Sequence, residues 1–241
     1  MLDDVTIGPV RLICGDAMEV LQDFDEEFDL VATDPPYKLT AGGKNGGSMS
    51  GKFSNDAYNN NGTFMPYVPW DQMAEPIFRA CKPDADGYVM ANDKEIFKAH
   101  LEFLKAGWKF HNLLNWRKGA PTRNRWYMKD CEYTLYLWKG RAKTIRMPGS
   151  KQSFDCPRPK DGTHRTQKPV ELFDLYVRNS TDPGDLVLDP FSGSGTTALA
   201  AMLSGRQAVG IELDPEIFKV SVLRLQAAWA AMTEDKIKED V

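Results

Sequence analysis

Two short stretches of this chain carry residue types that could do chemistry. Residues 33–43 read T-D-P-P-Y-K-L-T-A-G-G, directly after the apolar run Phe28-Asp29-Leu30-Val31-Ala32. Two adjacent prolines cannot continue a central strand or sit inside a helix, so the chain must leave its strand as a stiff, extended segment. That segment fixes a carboxylate, Asp34, and a ring, Tyr37, at a strand end, where open α/β sheets bind their ligands. The second stretch, D-P-F-S-G-S-G-T-T at 189–197, lies between the apolar run D-L-V-L and a helical pattern. Gly193 and Gly195 allow a sharp turn and a close backbone approach to a ligand. The helix that follows aims free N–H groups at whatever binds there. No Lys follows the second glycine, so this is not a Walker loop, and Ala198 stands where G-x-G-x-x-G has its third glycine. Glu212 lies seventeen residues beyond Gly195, at the end of Q-A-V-G-I. A carboxylate there can accept hydrogen bonds from both hydroxyls of a ribose. Loop, acid and strand–helix–strand context together point to a nucleoside-containing ligand.

The elements that must position these residues follow from periodicity. Val10–Cys14, Phe28–Thr33, 87–91, 110–116, 133–138, 185–188 and 207–211 read as strands. Residues 17–24, 70–81, 93–106, 169–179, 196–203 and 215–232 read as helices, with Asp93 as the expected N-cap of the third. The strands at 110–116 and 133–138 form a hairpin whose long connection, K-G-A-P-T-R-N-R-W-Y-M-K, mixes cations with aromatics. Residues 38–69, crowded with Gly, Asn and Ser, break all periodicity, and a loop of that length is usually functional or mobile. Residues 140–163 are polar, basic and rich in Pro and Gly, with little expected structure. Alternating strands and helices imply a mostly parallel sheet with helices on both faces.

The chain has 241 residues, 42% of them hydrophobic and 27% charged, which is enough to bury a sizeable core. No apolar run approaches the roughly twenty residues a membrane helix needs. The N-terminus, Met1-Leu2-Asp3-Asp4, lacks a signal-peptide pattern. Cys14, Cys81, Cys131 and Cys156 are scattered with no Cys-x-x-Cys pair, so no zinc site or disulfide framework is expected, and reduced thiols fit a cytoplasmic protein. The net charge is −4, but its distribution is uneven. Between Gly107 and Lys168 stand fifteen Lys/Arg and four Asp/Glu, a local balance of +11 that leaves −15 for the rest. A basic block in an acidic chain is a candidate footprint for phosphates, although a solvated surface could show the same charge.

The two motifs together resemble those of the amino-methylating DNA methyltransferases that use S-adenosylmethionine. In that family D-P-P-Y is the catalytic motif, here Asp34-Pro35-Pro36-Tyr37, and F-x-G-x-G is the cofactor loop, here Phe191-Ser192-Gly193-Ser194-Gly195. The catalytic motif precedes the cofactor loop, an order similar to the β group of the family. The resemblance covers about residues 10–230. It implies one domain over 1–241: a Rossmann-like α/β fold with a seven-stranded, mostly parallel, circularly permuted sheet and one antiparallel strand. An insertion at about 38–69 and a basic recognition region at about 117–163 would belong to that domain. The cofactor set implied is Asp16, Lys168, Asp189, Phe191, Ser192, Gly193, Ser194, Gly195, Thr196 and Glu212. Asp16 would contact the adenine, Glu212 the ribose, and the stretch H-R-T-Q-K-P at 164–169 the methionine part. Asp16 could equally cap the helix from Ala17, and Lys168 could be a solvated lysine. Duplex DNA with a flipped target base is the implied partner. Arg117, Lys118, Arg123, Arg125, Trp126 and Lys129 are its expected contacts, since interleaved cations and aromatics suit phosphates and bases. No metal is expected, and dimers occur in the family.

The chemistry implied is direct transfer to an exocyclic amino nitrogen, whose lone pair is delocalised into the base ring. Asp34 and the Pro35 carbonyl can each accept a hydrogen bond from that amino group and align its lone pair for in-line attack. The prolines, Pro35 and Pro36, hold these acceptors rigid, and Tyr37 can stack on the flipped base. No cysteine follows a proline, which argues against cytosine-C5 methylation. In the family, Asp at the first catalytic position goes mostly with adenine-N6 and Ser with cytosine-N4. Adenine is therefore the first expectation. Cytosine-N4, an RNA or protein-amide substrate, and a silent DNA-binding module are the alternatives.

Overall fold

A computed structural model describes residues 3–25, 27–37, 67–122, 126–159 and 167–239. The strands are β1 (Asp4–Ile7), β2 (Val10–Cys14), β3 (Phe28–Thr33), β4 (Cys81–Ala91), β5 (Lys109–Thr122), β6 (Lys129–Trp138), β7 (Ser153–Asp155), β8 (Leu186–Asp189) and β9 (Gln207–Glu212). They form one sheet in the order β1-β2-β9-β8-β3-β4-β6-β5-β7. The expected seven strands are all present. Two more join at the edges: β1 folds back antiparallel on β2, and β7 adds parallel to β5. The seven-stranded expectation is thereby corrected to nine strands among the described residues, with β6 antiparallel to both its neighbours.

The central strands read as continuous apolar runs because both faces are covered. Helices α1 (Ala17–Val20), α2 (Trp70–Ala80) and α3 (Ile96–Lys105) pack on one face, around Phe28, Val31, Met73, Ile77, Phe103 and Trp108. Helices α4 (Val170–Ser180), α5 (Thr196–Leu203) and α6 (Pro215–Glu239) pack on the other, around Leu12, Leu30, Tyr88, Trp116 and Phe173. A fully buried Leu or Phe of this kind contributes about 1.5–3 kcal/mol relative to an exposed one. On that second face Tyr88 stacks between Tyr136 and Tyr176, at 4.8 and 4.4 Å between ring centres, and locks β4, β6 and α4 together.

The expected N-cap at Asp93 is corrected. The Asn92 side chain accepts from the N–H groups of Lys94 and Glu95, so the turn begins one residue earlier and α3 starts at Ile96. What matters for function is that β3 and β8 are neighbours, with Leu30 opposite Val187 and Val31 opposite Leu188. The two motif-bearing strands, far apart in sequence, therefore end side by side.

Candidate active site

The two motifs are tied together beneath the surface. Thr33, the last residue of β3, donates its hydroxyl to Asp189 Oδ1 at 2.7 Å, and the Phe191 N–H donates to the same oxygen at 3.2 Å. Thr197 Oγ1, in the first turn of α5, lies 2.6 Å from Asp189 Oδ2 and 3.1 Å from the carbonyl of Ala32. Burial pushes the Asp189 carboxyl up to about 6, although Thr197, Thr33 and the Phe191 N–H all favour its charged form. Asp189 was expected at the cofactor. Its carboxylate is instead spent on these internal donors, and it shapes the loop from below.

The glycine loop is held by its backbone and by α6. Ser192 N–H donates to the Ile211 carbonyl at 2.8 Å, and Gly195 N–H to the Ser192 carbonyl at 2.8 Å. Arg224 donates to the Ser194 carbonyl at 2.9 Å and to Thr196 Oγ1 at 3.1 Å, which turns both residues toward α6. Gly195 has φ +76°, and an added Cβ would lie 3.3 Å from Ser221 Cβ. Gly193 has φ +51°, yet a Cβ there would meet nothing within 4 Å. The backbone at Gly193 thus faces open space, and the buried Ser192 hydroxyl beside it has no hydrogen-bond partner among the described residues.

Glu212 closes this cradle from β9. Its Oε2 accepts from the Gly193 N–H at 2.8 Å and its Oε1 from the Asp214 N–H at 2.9 Å. Burial raises the Glu212 carboxyl, and these backbone donors hold it back. The Gly15 N–H donates to the Glu212 carbonyl at 2.9 Å, which sets Asp16 at the adjoining strand end. Asp16 caps α1, its Oδ1 accepting from the Met18 N–H at 2.7 Å, and its side chain is exposed at the same edge. An open left-handed glycine, an unpartnered hydroxyl and two carboxylates at adjacent strand ends fit a nucleoside ligand.

The D-P-P-Y segment leaves β3 directly toward this cradle. Asp34 Oδ2 is ion-paired with Lys168, which lies just before α4, while Asp34 Oδ1 is buried with no hydrogen-bond partner among the described residues. Burial raises the Asp34 carboxyl; Lys168 lowers it and Glu132 raises it further, for a net rise. Tyr37 stacks on Trp70 at 5.9 Å between ring centres and 21° between planes, and the backbone of Asn92 bonds its hydroxyl. Burial pushes the Tyr37 phenol well above its ordinary range. Trp70 is itself fixed by Glu95, which accepts from the indole N–H at 2.9 Å. The ring is therefore braced from one side by a tryptophan at the start of α2.

Lys168 also faces Glu132 of β6, with Nζ 3.5 Å from Oε2. The other oxygen, Oε1, takes Lys118 at 3.0 Å and Arg158 at 3.2 Å. Burial alone would raise the Glu132 carboxyl, but Lys168, Lys118 and Arg158 hold it down at about 2. Lys118, expected at DNA phosphates, is only 6% exposed and turned inward to Glu132. A buried ammonium needs a partnered carboxylate more than it can serve a distant phosphate. Arg117 is exposed and paired with Asp155 at 2.5 Å, and Lys129 with Asp93 at 2.6 Å. Trp126 (77% exposed) and Tyr127 (93%) stand out at the hairpin connection. Arg123, Arg125 and His164, and the whole stretch 38–66, lie outside the described residues.

Sequence reasoning missed Thr33, Thr197, Arg224 and Glu132. Glu132 had a signal: it is the one acidic residue in the otherwise uncharged strand run C-E-Y-T-L-Y-L-W. Thr33 and Arg224 had none, since their partners are distant in the chain; Thr197 lies only eight residues beyond Asp189, at the end of the glycine-loop stretch.

Comparison with known proteins places this geometry in a family. A family model for DNA methylases of the N6/N4 type matches residues 28–223. The Type II methyltransferase M2.DpnII of Streptococcus pneumoniae is 28% identical over 227 residues, covering 84% of each chain. M2.MboI of Moraxella bovis is 28% identical over 250 residues, covering 92% of this chain and 88% of that one. Among solved structures, the M1.HpyAVI complex with S-adenosylmethionine superposes with a TM-score of 0.68 at 26% identity, covering 89% of this chain and 99% of that one. The cytosine-N4-specific PvuII DNA methyltransferase shares the fold, with a TM-score of 0.69 at 19% identity over 93% of each chain. With D-P-P-Y and the glycine cradle at neighbouring strand ends, the chain belongs to the DNA methylase family as an amino-methylating, S-adenosylmethionine-dependent DNA methyltransferase of the N6/N4 type.

Proposed function

We propose that this enzyme methylates the N6 amino group of adenine in duplex DNA, acting on a base flipped out of the helix. The observation that carries the reading is Asp34: a carboxylate at the first position of D-P-P-Y, with Oδ1 buried and without a hydrogen-bond partner among the described residues, beside a rigid Pro35. An exocyclic amino group has two protons to donate, and Asp34 with the Pro35 carbonyl offers two acceptors. Donating both pulls electron density toward the nitrogen and directs its lone pair away from the ring plane. S-adenosylmethionine, when bound, supplies an electrophilic methyl group on sulfur. The open backbone at Gly193, the Ser192 hydroxyl and Glu212 would hold it, with Asp16 at the adenine end. Tyr37, stacked on Trp70, would contact the flipped base. The fold is shared with a cytosine-N4 enzyme, so the adenine reading rests on Asp34 and not on the architecture. Trp126, Tyr127 and Arg117 are the proposed DNA contacts at the hairpin.

The test is transfer of labelled methyl from S-adenosylmethionine to unmethylated duplex DNA, with RNA and bulk protein as competing acceptors. Label in DNA that Asp34→Ala loses, while still binding cofactor, is the expected result. Label in RNA or protein, or undiminished transfer by the variant, would overturn it.

A further inference from the structure

A carboxylate has two oxygens, and the two of Asp34 are not equivalent. Oδ2 is bonded by the Lys168 ammonium, whereas Oδ1 is buried with no hydrogen-bond partner among the described residues. Rotation about Cβ–Cγ would exchange the two oxygens, and a charge-assisted bond to one of them opposes that rotation. The cation is itself fixed. Lys168 stands just before Pro169, the N-cap of α4, and its Nζ lies 3.5 Å from Glu132 Oε2 on β6. Glu132 is held in turn through Oε1 by Lys118 at 3.0 Å and Arg158 at 3.2 Å, so it steers the ammonium without taking it from Asp34. The Lys168 side chain is only 11% exposed. The family resemblance implied a place for this lysine at the methionine part of the cofactor, but its ammonium faces Asp34 and Glu132.

We propose that Lys168 is a positioning residue for methyl transfer: by staying on Oδ2 it holds Asp34 as an oriented carboxylate and leaves Oδ1 for the target amino group. This rests on the reading of Asp34 as the acceptor of that group. A protonated Asp34 would present an O–H where the amino hydrogens need an acceptor. The site works against the charged form in two ways. Burial disfavours it, and Glu132 on β6 disfavours it further; Lys168 opposes both. Asp189 at the end of β8 and the Tyr37 phenol also feel the Asp34 charge, and neither supplies a positive one. Lys168 therefore acts through Asp34, and no proton moves in this role.

The experiment measures single-turnover methylation of unmethylated duplex DNA across pH for the wild type and Lys168→Met, with cofactor affinity and thermal unfolding of both. Glu132 keeps Lys118 and Arg158 in the variant, so that carboxylate is not orphaned. Without the ammonium, Asp34 should hold its proton to higher pH. The rate is then expected to fall by about tenfold or more on the acid side, with the deficit shrinking as pH rises and cofactor affinity within about threefold. In an Asp34→Asn background the same Lys168→Met change should be nearly silent, because the group it acts on is gone. If Lys168→Met does not fold, Lys168→Gln, which keeps a neutral donor, takes its place with the same acid-side expectation. A wild-type profile in the variant would overturn the proposal. So would a loss equal at all pH values, a parallel loss of cofactor affinity, or an equal loss in the Asp34→Asn background. If the wild type transfers no methyl to DNA, or Asp34→Ala transfers it undiminished, it is the function reading that falls, and the proposal with it.

Discussion

At the residue scale, the site is a set of carboxylates whose environments push them apart. Glu132 is held at about 2 by three cations, whereas Asp189 is raised to about 6 by burial. The two act on stability in opposite directions. Asp189 has a folded value above the ordinary 3.8, so its contribution is present at low pH and is lost as pH rises through about 6. Glu132 has a folded value below the ordinary 4.5, so its contribution is present above that and is lost as pH falls toward 2. Asp189→Asn should therefore gain stability relative to wild type by up to about 3 kcal/mol between about pH 4 and about pH 8. Urea unfolding at both pH values checks it, and a pH-independent difference would contradict the assigned burial. Asp34→Asn should lose methyl transfer by at least about a hundredfold, since it exchanges a charged acceptor for a neutral amide, with cofactor affinity within about threefold. Asp34, Tyr37, Gly193 and Glu212 were legible in the sequence because motif and spacing fix them. The inward turn of Asp189 and Lys118 was not, because it depends on Thr33, Thr197 and Glu132, which only the folded sheet brings near.

At the scale of elements, the strand ends are the instrument. β8 sits between β3 and β9, so the glycine loop is flanked by D-P-P-Y on one side and Glu212 on the other. Arg224 reaches from α6 to fasten the loop. Arg224→Met should leave the fold intact and weaken cofactor binding by about tenfold, because two hydrogen bonds that shape the loop are lost; isothermal titration would measure it. Unchanged affinity would mean that the loop is held by its backbone alone. The central strands were readable from apolar runs, and the helices from their spacing. β7 was not, because Ser153–Asp155 lies in a Pro- and Gly-rich stretch and gains its strand character from pairing with Asn115–Arg117 of β5. The start of α3 was misplaced for a similar reason: the helical pattern runs from Asp93, but Asn92 ties Lys94 and Glu95 into a turn on the exit from β4, and the helix begins only at Ile96.

At the scale of the whole molecule, charge is separated into a basic central block and an acidic remainder. Many of the block's fifteen cations already face carboxylates, among them Arg117, Lys118, Lys129, Arg141, Arg146, Arg158 and Lys168. DNA affinity should still fall with salt, since phosphate contacts release counterions, but with a slope corresponding to far fewer than fifteen phosphates. A binding titration across ionic strength measures that slope, and a flat profile would remove the block from the interface. Trp126→Ala with Tyr127→Ala should lower DNA affinity without moving this slope, because stacking carries no charge. The adenine assignment itself turns on the identity of the methylated atom. The most direct measurement is nucleoside mass analysis of unmethylated duplex DNA after incubation with the enzyme and S-adenosylmethionine. N6-methyladenine, absent from the Asp34→Asn control, is the predicted product; N4-methylcytosine would contradict the adenine assignment made from Asp34.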